Sequence, residues 1–183
     1  MKLYAKDNNV SFVFENVDME YDPHVIRYPV NKLLLFDIVY NQMDFKKYEY
    51  ETMCDAAHQL GLTPKEKAYE IANWQDFYEW YFDVTEDNYQ YNGKNIEGFV
   101  IEDNSGYMVK LKLAYYKFWK FMRSISHEAI KNGYTKKIAA LTTLLANEYY
   151  SWVKQLHNAE DIDSLPKDIC TLRKLFYRDK FLK

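Results

Sequence analysis

Two segments near the start of the chain show the pattern of β-strands. Residues 11–17 (SFVFENV) are rich in aromatic and β-branched side chains, and Glu15 is their single ionisable group. Residues 32–40 (KLLLFDIVY) form a nearly continuous apolar run that is interrupted by Asp37. Such a run is typical of a central strand that is covered on both faces. Both segments therefore predict strands.

Residues 95–113 predict a β-hairpin that turns at DNSG, residues 103–106. Within it, the charged residues Glu97, Lys110 and Lys112 alternate with apolar ones. Because side chains alternate between the two faces of a sheet, we expect the charged set to share one face. A carboxylate and two ammonium groups on one surface can bind a metal–phosphate group, or they can neutralise each other.

The middle of the chain is acidic, aromatic and mostly helical in pattern. A helix is predicted over residues 52–60, ended by Gly61. Thr63 and Pro64 form a start signal for a second helix. This second helix has an aromatic face for which we predict core packing. The face consists of Trp74, Phe77, Tyr78, Tyr81 and Phe82.

Three further helices are predicted after the hairpin. The first is amphipathic with a basic side and ends at Asn132 and Gly133. A long helix follows over residues 135–157. A last helix is predicted over residues 164–179, where Asp163 or Ser164 can cap it. The fold class is therefore α+β, with an α+β region at 1–114 and an all-α region at 115–183.

The composition is that of a folded protein. Of the 183 residues, 48% are hydrophobic and 28% are charged, with only five Gly and four Pro. No apolar run approaches the roughly 18 residues that a membrane helix needs, and Cys54 and Cys170 suggest neither a disulfide framework nor a zinc site. We therefore expect a cytoplasmic protein without membrane contact. The 18% of aromatic residues fit a core of large side chains or rings that stack on bases.

The charge is distributed unevenly. The formal net charge is −3, but residues 110–137 hold eight Lys or Arg and one acid, Glu128, for a local charge of +7 against −10 elsewhere. Such a tract either attracts an anionic partner or forms a solvated basic face. Helical phase makes Tyr116 the best candidate for a base-stacking ring. The basic residues are Lys110, Lys112, Lys117, Lys120, Arg123, Lys131, Lys136 and Lys137.

The sequence lacks the motifs of several enzyme classes. It contains no GxGxxG, P-loop, HExxH, GxSxG or CxxC motif, and its four His are dispersed. Neither Ser nor Cys stands in a nucleophile signature. We therefore predict no metal ligands and no ordinary hydrolase chemistry.

The segments FVFE, HVIRY, LLLFDI, NIEGFVI and VKLK, in this order, resemble the phage-type RNA ligase family of the covalent nucleotidyltransferase superfamily. The resemblance implies a truncated nucleotidyltransferase-like region at 1–114 with an antiparallel sheet, followed by the family's helical C-terminal region. It also implies relic site residues. Glu15 matches the acid that contacts the nucleotide ribose, Glu97 the acid that helps to hold the metal, and Lys110 and Lys112 the lysines that contact the nucleotide phosphates.

One family feature is missing. The family's nucleophile is the Lys of a K-x-D-G motif, well upstream of FVFE, whereas residues 6–9 (KDNN) are the nearest approximation and lack both the spacing and the Gly. Without that amine there is no covalent step. We therefore expect no enzyme activity, no catalytic residue and no cofactor. If the relic site is retained, ATP or AMP with Mg would be its ligands.

Three functions remain open at this point. The chain can be a non-catalytic regulator that binds RNA or an RNA-handling protein, such as a phage-encoded inhibitor of host defence, an anti-CRISPR protein included, in the host cytoplasm. It can be one subunit of a split RNA ligase. It can also be a protein-interaction module without nucleic-acid binding. The first function would use Tyr116 and the basic residues of the 110–137 tract.

Overall fold

The computed structural model describes residues 1–21, 24–158 and 164–182. The chain forms two compact units. Unit 1 comprises Met1–Asp22, Tyr28–Trp80 and Val100–Lys110. Unit 2 comprises Pro23–Arg27, Tyr81–Phe99 and Leu111–Lys183. The elements in chain order are α1 (Lys2–Asn8), β1 (Val10–Val17), β2 (Lys32–Tyr40), α2 (Tyr50–Gln59), β3 (Thr63–Pro64), α3 (Trp74–Thr85), β4 (Gly98–Glu102), β5 (Met108–Lys112), α4 (Ala114–Asn132), a 3-10 turn (Ile138–Ala140), α5 (Leu144–Leu156) and α6 (Ile169–Phe181).

Unit 1 is built on a three-stranded sheet with β2 in the centre. Strands β1 and β2 pair antiparallel from Val10 opposite Tyr40 to Val17 opposite Lys32, with a register shift after Val13. Strand β3 adds a short parallel pairing on the other side of β2. The predictions of β1 and of a central β2 are confirmed, and so is the α+β class.

The core of unit 1 lies between this sheet and α2. Most of its side chains come from β2 and from one face of α2. Apolar residues recur about every second position in the strand and every three or four positions in the helix, so each element has an apolar face. Tyr4 of α1 packs against this core. The buried members are Val10, Leu35, Ile38, Tyr48, Met53, Ala56 and Ala57.

Unit 2 holds a helical core formed by α4, α5 and α6. Trp119 and Tyr149 lie at its centre with their rings edge to face at 5.3 Å. The Tyr149 hydroxyl and the buried Ser126 hydroxyl are hydrogen-bonded at 2.8 Å, so both polar groups are satisfied inside the core. The buried cluster comprises Val25, Trp119, Met122, Ile125, Ala129, Leu141, Ala146, Tyr149, Val153, Ile169 and Phe176.

Strands β4 and β5 form the predicted hairpin. The Asp103 carboxylate fixes its turn by accepting hydrogen bonds from the backbone N–H groups of Ser105 at 2.8 Å and Tyr107 at 3.0 Å. Gly106 adopts a φ of 83°, which favours glycine. Helix α4 follows after one residue and ends at Gly133, as predicted.

The predicted helix start at Thr63 is wrong. Thr63 and Pro64 form β3 against β2, and the backbone N–H of Lys65 donates to Leu35 at 2.8 Å. Helix α3 begins at Trp74 instead, where Asn73 accepts a hydrogen bond from the backbone of Asp76 at 2.9 Å. Thr63 and Pro64 do not begin a helix because the edge of β2 offers their backbone an alternative set of hydrogen bonds.

The prediction that the aromatic face of α3 packs in the core is wrong for four of its five residues. The helix exists, but only Phe77 is half-buried. Amphipathic spacing shows that a helix has an apolar face without showing what covers that face. The exposed residues are Trp74, Tyr78, Tyr81 and Phe82.

The long helix predicted over residues 135–157 is confirmed only in its second part, Leu144–Leu156. Its first part is a 3-10 turn at Ile138–Ala140, and α5 begins at Leu144. The Thr143 hydroxyl caps α5 by accepting from the backbone N–H of Ala146 at 3.1 Å. The buried Thr135 instead donates its hydroxyl hydrogen bond to Glu128.

The last helix, α6, begins later than predicted. Asp168 caps it by accepting from the backbone N–H of Thr171 at 2.8 Å. Ser164 precedes the helix, and the alternative cap, Asp163, lies outside the described residues. Helix α1 was not predicted, because its residues lack an apolar stripe. In the described part of the chain, no helix is long and apolar enough to cross a membrane.

Candidate nucleic-acid interface

Glu97 and Lys112 meet at the base of the hairpin. The Lys112 ammonium donates a hydrogen bond to Glu97 Oε1. The backbone supports the pair, because Leu113 N–H donates to the Glu97 carbonyl at 3.1 Å. Both side chains are about one third exposed or less, at 26% for Glu97 and 35% for Lys112. The structure therefore brings together one acid and one lysine of the predicted charged set.

Tyr116, in the first turn of α4, completes this cluster. The Nζ atoms of Lys112 and Lys120 lie 5.0 Å and 5.6 Å from the centroid of its ring. Burial raises the pKa of Tyr116, and the charge of Glu97 and a hydrogen bond to it act in the same direction, against the opposing charge of Arg123. The phenol is therefore neutral and donates to Glu97. We call Glu97, Lys112, Tyr116 and Lys120 the Tyr116 cluster.

The hairpin charges could bind a metal–phosphate group or neutralise each other, and the Tyr116 cluster shows neutralisation for one pair of them. Glu97 neutralises Lys112, while Lys120 is exposed and has the Tyr116 ring as its neighbour. One positive charge therefore remains over a half-buried aromatic ring. Cations above a ring face are stabilised by its quadrupole, which holds the ammonium group beside the ring.

A basic stripe continues along α4. With 100° between successive residues, positions 117, 120, 124, 127 and 131 fall within a narrow arc of the helix surface. Lys117, Lys120 and Lys131 are exposed there, and His127 Nε2 lies 3.3 Å from the Lys167 carbonyl. At a rise of about 1.5 Å per residue the stripe is about 20 Å long. The opposite side of α4 faces the core of unit 2 through Trp119, Met122, Ile125, Ser126 and Ala129.

The other predicted basic residues differ in their surroundings. Lys137 forms an ion pair with Glu128 at 2.7 Å and donates to the Ser124 hydroxyl, so its charge is already compensated. Arg123 is half-buried, and Lys136 is exposed after α4. Lys110 is exposed on β5. The structure thus separates exposed lysines from those that are engaged within the protein.

Glu15 lies in unit 1, on the exposed side of β1. Its register partner is Leu34 on β2. Because its neighbours along the strand alternate between exposed and half-buried positions, Glu15 reaches water from the sheet surface.

Unit 1 contains a charged network that the sequence motifs did not predict. Asp37, the acid within the apolar run of β2, is 97% buried and accepts from Lys47 at 3.0 Å and Lys65 at 3.4 Å. Both lysines also contact Glu102 of β4, at 2.6 Å and 3.2 Å. The Lys65 ammonium lies 4.7 Å from the centroid of the Phe36 ring. We call these four charged residues the Asp37 network.

The charges of the Asp37 network balance each other. Burial disfavours the charged form of Glu102, but its bonds to Lys47 and Lys65 outweigh this and lower its pKa. Burial likewise opposes the charge on Lys47, and Glu102 and Asp37 overcome it and raise its pKa. Two acids and two lysines therefore join β2, β4 and the segments around positions 47 and 65. In the sequence, the network is indicated by Asp37 alone, the acid inside the apolar run of residues 32–40.

A comparison with protein families identifies the relationship. A family model described as RNA ligase matches residues 1–116 of the 183. The chain belongs to the phage-type RNA ligase family. The resemblance inferred from the order of the sequence motifs is thereby confirmed. No curated protein matches the chain.

The family match ends at Tyr116, and this divides the candidate residues. Glu15, Glu97, Lys110 and Lys112 lie within the part that matches the RNA ligases. The exposed lysines of α4 lie beyond it. The basic stripe therefore lies in the helical region that follows the matched residues.

The family's metal and nucleotide do not fit the Tyr116 cluster as it is arranged. Magnesium is bound by several oxygen ligands, whereas the Glu97 carboxylate is engaged by Lys112 and Tyr116. Among residues 1–21, 24–158 and 164–182, no group of three His, Cys, Asp or Glu could hold a metal ion. In unit 1 a hollow of about 400 Å³ lacks charged lining residues, which a nucleotide phosphate would need. It is lined by Phe45, Ser105, Gly106, Tyr107 and Met108.

Proposed function

We propose that this member of the RNA ligase family is a non-catalytic regulator that binds RNA through α4. The observation that supports this most is the exposed stripe of Lys117, Lys120 and Lys131, which begins beside the Tyr116 ring. Ammonium groups along one face of a helix bind phosphates, and an adjacent ring offers a surface for a base. RNA as substrate or partner is also what the family suggests.

The non-catalytic part of the proposal rests on the lysines of this chain. The residues nearest to the family's nucleophile motif are 6–9, and Lys6 lies exposed in helix α1 instead of on a strand. Lys112, the second lysine of VKLK, is held by Glu97. The family's covalent step needs an amine beside the α-phosphate, and we propose that neither Lys6 nor Lys112 has this role.

The regulatory role that we propose is interference with an RNA-handling system of a host, and a CRISPR defence system is one target of this kind. This step rests on analogy with small proteins that compete for nucleic acid. RNA binding is the part of the proposal that can be tested directly, because it depends on Lys117, Lys120 and Lys131.

The triple variant K117A/K120A/K131A should bind RNA much more weakly than the natural chain. With about 0.7 released counterions per phosphate contact on a single strand, the loss of three contacts should lower affinity about 100-fold at 0.1 M salt. The slope of log affinity against log salt concentration should fall by about 2. Fluorescence anisotropy with a labelled 20-nucleotide oligouridine, titrated at several salt concentrations, measures both values.

The matched control is K94A/K154A/K174A, which removes the same charge from three exposed lysines of the same unit. It should keep most of the affinity and the salt slope. Equal losses of RNA affinity in the two triple variants would show that the chain binds RNA through its net charge alone. Unchanged RNA affinity in K117A/K120A/K131A would show that α4 is not the interface. Circular dichroism checks that both variants fold.

Incubation of the chain with α-labelled ATP and magnesium should leave no label on the protein. A ligase of this family transfers AMP to its own lysine, so covalent label that survives denaturing gel electrophoresis would contradict the non-catalytic part of the proposal. A family ligase known to form the lysyl–AMP intermediate serves as the positive control. If label does appear, Lys6→Ala and Lys112→Ala variants would show which amine accepts it.

A further inference from the structure

Helix α3 lies in an acidic part of the chain. Residues 68–93, which include it, contain six acids and no Lys, Arg or His. The same stretch is rich in rings, and most residues of α3 are exposed. An exposed aromatic surface bordered by charge of one sign is typical of a protein interaction site.

The rings at the start of α3 form a continuous row within unit 1. Tyr69 meets Trp80 edge to face at 5.8 Å, Trp80 lies 5.6 Å from Phe77, and Phe77 stacks on Trp74 at 5.2 Å. The row ends at Trp74, of which 75% is exposed, and the neighbouring Tyr78 is 50% exposed. Because Phe77 already restricts the rotamers of Trp74, the Trp74 side chain loses little conformational entropy when a partner binds it. Residues of this kind are typical interface hot spots.

Aromatic and acidic residues border the exposed side of α3 from opposite directions. The half-buried Phe77 and Trp80 mark the direction towards the protein. At 100° per residue, Trp74 and Tyr78 then lie on one side of the exposed surface, and the exposed Asp76 and Glu79 lie on the other. A segment lying along the helix between them would contact rings with one edge and carboxylates with the other. We call Trp74, Asp76, Tyr78 and Glu79 the α3 surface.

Charge complementarity decides which occupant this surface fits. The carboxylates repel RNA phosphates, and a second copy of the same surface would place like charges together. Apolar side chains are needed to cover Trp74 and Tyr78, and basic ones to pair with Asp76 and Glu79. We propose that the α3 surface binds a basic amphipathic segment of another protein. This site is independent of the RNA interface on α4 and carries the opposite charge.

A labelled peptide tests the proposal with the full chain. The probe is an 18-residue peptide of Leu and Lys with Leu at helical spacing, followed by fluorescence anisotropy. The variant W74A/Y78A should bind it at least about 10-fold more weakly, because buried Trp and Tyr dominate such interfaces. The variant D76N/E79Q should bind about 3-fold more weakly, because exposed ion pairs contribute little each. A peptide with Glu in place of Lys should not bind.

Matched variants show whether the effect belongs to this surface. Y134A/F181A removes two exposed rings elsewhere, and E51Q/D55N removes two exposed acids of α2. Both should leave peptide affinity within about 2-fold of the natural chain, since surface changes away from the site have small effects. Circular dichroism confirms that each variant is folded.

Three results would overturn the proposal. They are unchanged peptide binding by W74A/Y78A, equal binding of the Glu and Lys peptides, and a dimer in sedimentation that W74A/Y78A dissociates. The last result would make a second copy the occupant. Loss of peptide binding with intact RNA binding is the expected pattern for W74A/Y78A, and it separates this site from the function proposed for α4.

Discussion

Replacing Asp37 with Leu should lower the free energy of unfolding by about 3 kcal/mol, because removal of one member of a buried ion pair leaves uncompensated charge inside the protein. Asp37 holds the ammonium groups of Lys47 and Lys65, whose side chains are 10% and 18% exposed. In the variant, both lysines share Glu102 alone, and Leu offers no hydrogen bond. Urea denaturation followed by circular dichroism measures the loss. Hydrogen exchange of the β1 and β2 amides locates it.

Glu102→Gln is the matched change at the exposed end of the same network. Glu102 is 34% exposed, so its loss should cost about 1 kcal/mol or less. Equal effects of the two variants would contradict a dominant role for Asp37. The pH dependence gives a second check. Because the folded pKa of Glu102 lies below its ordinary value of 4.5, its contribution is complete above that value and is lost as the pH falls through the lowered pKa. E102Q should lack this acid-dependent part.

Replacing Gly98 with Ala should disrupt the base of the hairpin. Gly98 has a φ of 154°, and an added Cβ would lie 1.9 Å from the Leu111 carbonyl oxygen and 3.0 Å from the Lys112 Cα. Neither backbone atom can move aside without displacing β5. Strain of about 1–3 kcal/mol together with broken strand pairing predicts a loss of roughly 3 kcal/mol in the free energy of unfolding. Urea denaturation measures this loss.

The same variant should separate Glu97 from Lys112, because Gly98 directly follows Glu97. Faster hydrogen exchange of Leu113 N–H, which donates to the Glu97 carbonyl, would report the change. Gly93→Ala is the matched control in the same unit. Gly93 has a φ of 69° with nothing within 4 Å of an added Cβ, so only backbone strain of about 1 kcal/mol is expected. Similar losses in both variants would show that φ alone, and not contact with Leu111, makes Gly98 necessary.

Elements with strong local patterns were predicted well. Strands β1 and β2, the hairpin and helix α4 each have a run or a period that repeats over their whole length, and Gly133 ends α4 as predicted. The order of the motifs also gave the RNA ligase family, which the match over residues 1–116 confirmed. The site residues derived from that resemblance remain predictions.

Elements whose structure depends on distant partners were predicted poorly. Thr63 and Pro64 resemble a helix start, but β2 pairs with them from about 30 positions away. The break between residues 135 and 144 depends on the buried Thr135, whose hydroxyl binds Glu128 on α4. Local patterns contain no information about such partners, because their hydrogen bonds form only when the chain is folded.

The sequence by itself determined the family, the main strands and helices, and the basic charge of the 110–137 tract, because each of these depends on residue types at short spacing. Only the tertiary structure decided which charges remain available to a partner. It paired Lys112 with Glu97, joined Asp37 to lysines from two other segments, and left Lys117 and Trp74 exposed. The physical reason is that burial and ion pairing depend on distances between residues far apart in the chain, and folding alone sets those distances.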